Sequence, residues 1–312
     1  MKFENKFVLI LVASVIIYAI FLFMSDFTIF LENISNFKIE YLPLILSLVT
    51  ISWIPLFFKW HMLLKNSKLD VPIKKSLLVF LAGSAFEITP GQVGALMKSQ
   101  ILKTSSNIPR TKTIPVIMVE KVYDMISAIC ASIIGIIILE LDPILIFVAI
   151  VSLTIIFFFM YYKPATEKFF NRLVKLKFFS KHIENISEFH KIVKEATSLK
   201  ISILSITLGI LYWFIIGAAT YVILLSFDID VLNYLQIVSI YTTSILLGAI
   251  SFVPAGIGIT EVSITGLFAI NGINISTALM LSVMIRILTL WYSVIIGFVS
   301  LKFTGGVSLK NN

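Results

Sequence analysis

The chain has 312 residues, of which 58% are hydrophobic and 13% are charged, with a mean hydropathy of +1.01 and a formal net charge of +8. Soluble domains carry about 45–50% apolar and about 25% charged residues, so the composition excludes an ordinary water-soluble enzyme. It indicates a membrane protein with several helices, because each crossing takes about 20 apolar residues. The single cysteine excludes an internal disulfide.

Six apolar runs are long enough to cross a bilayer. They are Phe7–Met24, Tyr41–Phe58, Ile114–Leu139, Pro143–Tyr162, Ile201–Leu225 and Ser276–Leu301. The first run lacks a small-residue cleavage pattern, so we interpret it as a retained helix and not as a signal peptide. Lys59 and Trp60 close the second run, where a cation and an aromatic ring are typical of the membrane interface.

Two further apolar segments are interrupted by Pro and Gly. The first segment, Ile73–Phe86, is followed by Pro90, Gly91 and Gly94 and then by a shorter apolar stretch, Ala95–Leu102. The second segment, Leu232–Phe252, is followed by Pro254, Gly256 and Gly258 and then by Ile259–Ile270. Broken segments of this kind are typical of re-entrant helices, which line wet cavities or are buried in protein. We predict two re-entrant hairpins; the alternative is two kinked hairpins that cross the membrane fully.

The predicted fold is an all-α polytopic membrane protein, with six full transmembrane helices and two re-entrant hairpins in one integral domain over residues 1–312. Cations set the orientation, because Lys and Arg are enriched in cytoplasmic loops. With the N- and C-termini in the cytoplasm, the outer segments hold Lys38 alone, whereas the inner segments hold nearly all the other cations. The first hairpin is then cytoplasmic, and the second enters from the outside. We expect the protein in the cell membrane.

The two hairpins head an internal repeat, residues 73–139 and 232–301. Thr89–Gly94 matches Val253–Gly258, and about thirty residues after each proline comes a long span with a buried cation, Lys121 in the first half and Arg286 in the second. The predicted topology makes the two units face opposite ways. Inverted repeats with broken helices are the usual architecture of alternating-access transporters, with the substrate site between the repeats.

Residues 163–200 form a basic cytoplasmic connector with apolar residues at helical spacing. Two interpretations stay open. The segment is either a set of amphipathic helices on an anionic leaflet surface or a solvated linker that caps the bundle.

Six charged residues fall within the apolar segments: Glu87, Glu120, Lys121, Asp124, Glu261 and Arg286. A charge at the bilayer centre costs about 3 kcal/mol on insertion scales, so each needs a partner, a wet cavity or a function. Glu120, Lys121 and Asp124 either neutralise one another along one helix face or bind substrate. Arg286 lies about 15 Å from the outer end of its helix, which favours pairing with Glu261 or with a bound anion.

Glu261 lies in the first turns of the half-helix that follows Gly258. A carboxylate there either compensates the positive helix end or takes part in a site at which free N–H groups bind phosphate.

Enzyme motifs are absent from the sequence. It contains no phosphate loop, no zinc-protease motif and no Gly-x-Ser-x-Gly turn. The three histidines, His61, His182 and His190, are far from forming a ligand set. We therefore expect no catalytic activity, no metal, no cofactor and no nucleic-acid partner.

These motifs together resemble the flippase-like transmembrane domain of lysylphosphatidylglycerol synthases. The first family signature is a Pro-x-x-x-Gly-Glu-x-x-Arg hairpin followed by a helix with Glu-Arg-x-x-Asp, matched here by Pro90, Gly94, Lys98, Glu120, Lys121 and Asp124. The second is Pro-x-Gly-x-Gly-x-x-Glu followed by an Arg-containing last helix, matched by Pro254, Gly256, Gly258, Glu261 and Arg286. Ala95 departs from the pattern, since Glu is typical there.

The resemblance implies a lipid flippase or scramblase that moves lipids with polar or charged headgroups between leaflets. The candidate substrate-binding residues are Lys98, Glu120, Lys121, Asp124, Glu261 and Arg286. We expect a stand-alone domain without the aminoacyltransferase of the synthases, and hence no lipid lysylation. The alternatives are a secondary transporter of a small soluble anion and a non-transporting scaffold for a separate lipid-modifying enzyme. A scaffold would pair its buried charges fully.

Overall fold

The computed structural model describes residues 36–89, 94–138, 144–161, 192–251 and 253–304, and every regular element within these ranges is helical. The helices are α1 (Leu42–Asn66), α2 (Ile73–Ser84), α3 (Met97–Ser106), α4 (Arg110–Ile138), α5 (Ile144–Tyr161), α6 (Leu199–Leu225), α7 (Tyr234–Ile250), α8 (Ile259–Ile270), α9 (Ile275–Arg286) and α10 (Tyr292–Phe303). A π-helical turn, Ile287–Trp291, joins α9 to α10, and short 3-10 turns precede α1 and α8.

Four helical stretches are long and apolar enough to cross a membrane: Ile39–Asn66, Arg110–Ile138, Leu199–Leu225 and Ile275–Phe303. Each coincides with a run predicted from the sequence. The predicted run Pro143–Tyr162 forms α5, which at 18 residues is about 27 Å long, close to the thickness of the hydrocarbon core. Phe7–Met24 lies outside the described residues. The total of six crossings therefore stays a prediction.

Helices α2 and α3 run back along one another as a hairpin. The Lys75 ammonium group at the start of α2 donates to the Ser105 carbonyl at the end of α3, so both open ends of the hairpin lie together. Gly83 makes room for the stem of Lys98, because a Cβ on Gly83 would come within 2.8 Å of the Lys98 Cγ atom. With 12 residues, α2 spans only about 18 Å and is too short to cross a bilayer alone.

The second hairpin joins α7 to α8 through a tight turn. Ala255, Gly256 and Gly258 all have positive φ, at 51°, 65° and 87°. Glycine adopts this region without strain, and Gly256 is also needed for space, because a Cβ there would lie 2.8 Å from the Gly248 Cα atom. The turn therefore brings the chain back against the end of α7.

The buried side chains form two hydrophobic clusters, one mainly of first-half residues and one mainly of second-half residues. The first-half cluster includes Trp60, Val79, Leu102 and Ile117 from α1 to α4. The second-half cluster includes Ile216, Ile237, Phe268 and Leu281 from α6 to α9. Helix α1 contributes to both clusters and holds the halves together.

The two halves also exchange contacts in a reciprocal way. Helix α2 of the first hairpin packs against α10, and α7 of the second hairpin packs against α4. Each hairpin thus lies against the long helix of the opposite half. At Gly297 the two helices approach closely, since a Cβ there would lie 2.2 Å from the Ala85 backbone nitrogen.

Contacts at the two ends of the bundle are compatible with the charge-based topology. At one end Lys38 pairs with Asp228 at 2.6 Å, and this hydrogen bond raises the pKa of Lys38. Both residues were predicted on the outer side. At the other end, Lys68 lies 3.5 Å from Glu195, and both were predicted inside.

Most of the basic connector, residues 162–191, lies outside the described part of the chain. Its last residues do not lie on a surface, because Ile192, Val193 and Ala196 are buried in the first-half cluster. The Tyr123 hydroxyl donates to the Ala196 carbonyl at 3.1 Å. The choice between surface helices and a solvated linker stays open for the rest of the segment.

We expect Gly297→Ala to destabilise the protein by about 1 to 3 kcal/mol, because the added methyl group meets main-chain atoms of the first hairpin and overpacks the contact. Gly266→Ala is the matched control, since nothing lies within 4 Å of a Cβ at that helical position and alanine favours the helix by about 1 kcal/mol. Thermal unfolding in detergent measures both. Equal melting temperatures for the two variants would contradict the close approach of α2 and α10.

Candidate functional site

Four helices meet around the Lys98 side chain in the first half. Its ammonium group donates to both Glu120 carboxylate oxygens, at 2.8 and 2.6 Å. It also lies 4.3 Å from the centroid of the Trp60 ring and 5.6 Å from that of Phe80, positions that favour cation–π attraction. Lys98 and Glu120 are 5% and 3% exposed, so the pair is buried between α3 and α4.

A second group of charges lies one helical turn along α4. Lys121 and Asp124 pair at 2.9 Å on the same helix face, and the Lys59 ammonium group of α1 bonds to the other Asp124 oxygen. Lys59 is fully buried, whereas about a third of the Lys121 side chain is exposed. Asp124 therefore bridges an inaccessible cation and an accessible one.

The second half contains the corresponding ion pair between α8 and α9. The Arg286 Nε atom donates to the Glu261 Oε1 atom at 2.9 Å, and an Arg286 terminal nitrogen donates to the Ala255 carbonyl at 2.5 Å. The other Glu261 oxygen accepts the Gly258 N–H at 2.6 Å. Glu261 is 1% exposed. The Glu261 carboxylate therefore caps the start of α8 and pairs with Arg286 at the same time. Its part in a phosphate site stays a prediction.

The two buried pairs occupy equivalent positions with opposite polarity. Each joins a hairpin to the long helix that follows it. In the first half, Lys98 and Glu120 lie eight and thirty residues after Pro90. In the second half, Glu261 and Arg286 lie seven and thirty-two residues after Pro254. In the first half the hairpin carries the cation and the helix the anion. In the second half the hairpin carries the anion and the helix the cation.

The candidate residues predicted from the sequence fall into these two groups. Lys98, Glu120, Lys121 and Asp124 come together in the first half, and Glu261 and Arg286 in the second. All six have a charged partner within the described residues. Lys98, one of the predicted substrate-binding residues, is buried in its pair with Glu120.

The hairpin residues are described only in part. Pro90 and Gly91 lie outside the described residues. Gly94 donates its N–H to the Thr89 hydroxyl at 2.6 Å, and a Cβ on it would lie 2.3 Å from the Phe86 carbonyl oxygen. Pro254, Gly256 and Gly258 form the turn described above. Gly94 is thus needed for close packing against Phe86 and Thr89.

Lys59 is a site residue that the sequence interpretation missed. It was placed at the membrane interface because the apolar run was taken to end at Phe58. Helix α1 instead continues to Asn66, so Lys59 lies two turns inside it and reaches Asp124. The signal available in the sequence was the apolar stretch Met62–Leu64 after Lys59. The same extension buries Trp60 completely.

Tyrosines lie between the two charge groups. Tyr212 of α6 lies in the electrostatic field of Glu87, Asp124 and Arg286, and Tyr241 of α7 in that of Arg286 and Glu87. The Tyr241 hydroxyl also donates to Thr289 in the π-helical turn, at 3.5 Å. These tyrosines therefore bring polar groups of α6 and α7 into the electrostatic field of charges from both halves.

No group of three or more His, Cys, Asp or Glu residues suited to a metal ion occurs in the described ranges. The side chains at the two sites are ammonium, guanidinium and carboxylate groups. Ammonium and guanidinium groups can donate hydrogen bonds to phosphate oxygens, and carboxylates can accept hydrogen bonds from amines or bind protons.

Comparison with known proteins identifies the family of the chain. Residues 10–297 match the family described as the lysylphosphatidylglycerol synthase TM region. The chain belongs to this family. Among individual proteins it is similar to a UPF0104 membrane protein of Pyrococcus horikoshii, with 25% identity over 269 residues, covering 77% of this chain and 79% of the relative. The resemblance found in the hairpin motifs is thereby confirmed, and so is a multi-pass membrane protein.

We expect Glu120→Met to destabilise this lysylphosphatidylglycerol synthase TM region protein by about 3 to 5 kcal/mol, because it leaves the Lys98 ammonium group buried without its carboxylate. The double variant Lys98→Met/Glu120→Met removes both charges and should recover most of that loss. Denaturant unfolding in detergent measures the difference, with Lys302→Met, an exposed position in the last turn of α10, as control. Equal losses in the single and double variants would contradict the pairing.

Proposed function

We propose that this protein is a lipid flippase or scramblase that moves lipids with polar or charged headgroups between the leaflets of the cell membrane. One observation carries the proposal: two buried ion pairs of opposite polarity, each joining a broken hairpin to the long helix that follows it. Membership of the lysylphosphatidylglycerol synthase TM region family supports a lipid-related role. The proposal assigns the chain no catalytic role and no cofactor.

Buried ion pairs are a poor way to stabilise a bundle. The free energy lost when two charges are removed from water often exceeds the free energy gained from their attraction. A protein with an apolar pair of similar volume in the same place is therefore commonly as stable or more stable. Ionisable groups within membrane segments therefore mark pathways for charged substrates by default. Lys98–Glu120 and Glu261–Arg286 fit that role, since each pair neutralises itself when no substrate is bound.

A phospholipid headgroup brings charges that compete for these partners. Its phosphate would replace Glu120 on Lys98, or Glu261 on Arg286, through charge-assisted hydrogen bonds. A headgroup amine would bind the released carboxylate. Each exchange keeps the number of buried charges balanced, which is the condition for moving a polar group through hydrocarbon.

The helix packing supports alternating access between inverted repeats. In each half the first hairpin helix lies on the long helix of the other half, as α2 does on α10 and α7 on α4. A hairpin that moves relative to its own half would thus carry its charge away from its pair partner. In known transporters, movement of one repeat against the other exposes the midplane site to each side in turn. We place the N- and C-termini in the cytoplasm.

A non-transporting scaffold for a separate lipid-modifying enzyme is a second candidate. It is favoured by one specific observation, that all six predicted substrate-binding charges have charged partners in the described residues. Such a scaffold needs no exchange of partners. The two candidates differ in whether the purified protein alone moves lipid.

The test is lipid transfer in reconstituted vesicles, read as dithionite-accessible fluorescent phospholipid. We expect wild-type protein to accelerate transfer, and Lys98→Ala/Arg286→Ala to reduce the rate at least tenfold, because the phosphate then lacks its cations. Lys302→Ala is the control and should match wild type.

Two results would count against the proposal. Equal transfer by wild type and by the double variant would overturn the residue assignment. No transfer of any lipid tested, with folded protein in the vesicles, would favour the scaffold.

A further inference from the structure

A cavity lies where the end of α1 meets the start of α2. Its volume is about 340 Å³, and it is lined by His61 and Lys65 of α1 and by residues 68–73. Cavities that hold small molecules have volumes of about 300–1,000 Å³, so a polar headgroup has room here. The described lining contains none of the charged residues of the two ion-pair sites.

The cavity is at the end of the bundle that the charge pattern assigns to the cytoplasm. Lys68, which lines it, lies 3.5 Å from Glu195, and both residues were predicted inside. In the predicted topology the cavity therefore faces the headgroup layer of the inner leaflet.

The lining contains two cations that are only weakly neutralised. Lys65 is exposed and has no ion-pair partner in the described ranges. Lys68 lies near Glu195, but 77% of its side chain stays exposed. Asp70 is the carboxylate of the described lining. Two positive charges against one negative charge leave the cavity attractive to an anion.

The backbone holds both lysines in place at the end of α1. The Lys68 N–H donates to the Lys65 carbonyl and the Leu69 N–H to the Leu64 carbonyl, both at 3.0 Å, which together form a Schellman motif. Lys68 occupies the left-handed position of this motif, with φ of 58°, where glycine is usual because it has no Cβ. The chain thus places a cation where a residue without a side chain fits best.

Two further groups add hydrogen-bonding capacity to the cavity. Pro72 and Ile73, where α2 begins, line it, and the first turn of α2 has no side-chain cap, so its N–H groups favour an anion. The His61 ring also lines the cavity, and its Nδ1 atom has no hydrogen-bond partner in the described part of the chain. Neutral polar groups therefore accompany the two ammonium groups.

Exposed apolar side chains lead away from the cavity along both helices. Ile73 lines it and is 55% exposed, and Leu77, one turn further along α2, is 39% exposed. Phe58, about one turn before His61 on α1, is 53% exposed. In a membrane such side chains contact acyl chains. A ligand with a phosphate group and acyl chains matches both the cations and this apolar surface.

We propose that this cavity binds the phosphate group of a lipid from the inner leaflet. Lys65 and Lys68 donate to the phosphate oxygens through charge-assisted hydrogen bonds, and the acyl chains lie along Ile73 and Leu77. A free phosphate ion has the same charge chemistry but makes no use of the apolar surface. The site goes beyond the proposed function, because its lysines are not among the residues assigned to transport.

The experiment is photo-cross-linking of the purified full chain in phosphatidylcholine vesicles, with phosphatidylglycerol that carries a photoreactive acyl chain. We expect labelling of the segment that joins α1 to α2, read by mass spectrometry of peptides. Lys65→Gln/Lys68→Gln should lower the yield about fivefold, since exposed charge contacts are individually weak, and Asp70→Asn should raise it. Lys103→Gln/Lys302→Gln removes two exposed charges at the ends of α3 and α10 and should match wild type.

A photoreactive diacylglycerol without phosphate and competition by unlabelled ligands complete the test. We expect little labelling of this segment by the diacylglycerol. Unlabelled phosphatidylglycerol should compete with the probe, whereas inorganic phosphate at the same concentration should not. Melting temperatures check that all variants are folded.

Three results would contradict the proposal. Equal labelling of the Lys65→Gln/Lys68→Gln variant and its control would overturn the site. Equal labelling by the diacylglycerol would reduce the contact to apolar adhesion. Competition by inorganic phosphate as strong as that by phosphatidylglycerol would overturn a lipid as the ligand. Lipid transfer by the same protein changes none of these readings.

Discussion

The architecture depends on the pairing of a hairpin charge with a charge on a long helix. Neither partner is tolerable alone in an apolar bundle, because an unpaired buried charge costs several kcal/mol. Lys98 therefore fixes where α3 lies on α4, and Arg286 fixes where α8 lies on α9. The apolar clusters supply most of the buried area, but apolar contacts are non-directional and do not set this register.

Much of the fold could be predicted from the sequence, since apolar runs and Pro-Gly interruptions report directly on helix length and helix breaks. The runs that became α4 and α6 were assigned nearly to their ends. The π-helical turn after Arg286 could not be predicted, because Ile287–Trp291 is as apolar as the helix around it and its backbone depends on tertiary packing.

At the candidate site, pairing within one helix or within one repeat was easier to anticipate than pairing between distant helices. Lys121 with Asp124 follows from helical spacing, and Glu261 with Arg286 from adjacent segments. The bond from Lys59 to Asp124 joins residues 65 positions apart. Sequence spacing contains no information about it, and Lys59 had a sufficient alternative explanation as an interface cation.

The Ala255 carbonyl gives the second site a property that the first one lacks. Arg286 is held partly by a main-chain oxygen, presented by a residue in the left-handed region, and no side-chain substitution at Glu261 deletes that oxygen. The hydrogen bonds of Lys98 are made to a side chain alone. A single substitution at Glu120 therefore removes both described hydrogen bonds of the Lys98 ammonium group, whereas Arg286 keeps its main-chain partner when Glu261 is replaced. Substitution of Glu120 is thus expected to displace Lys98 further than substitution of Glu261 displaces Arg286.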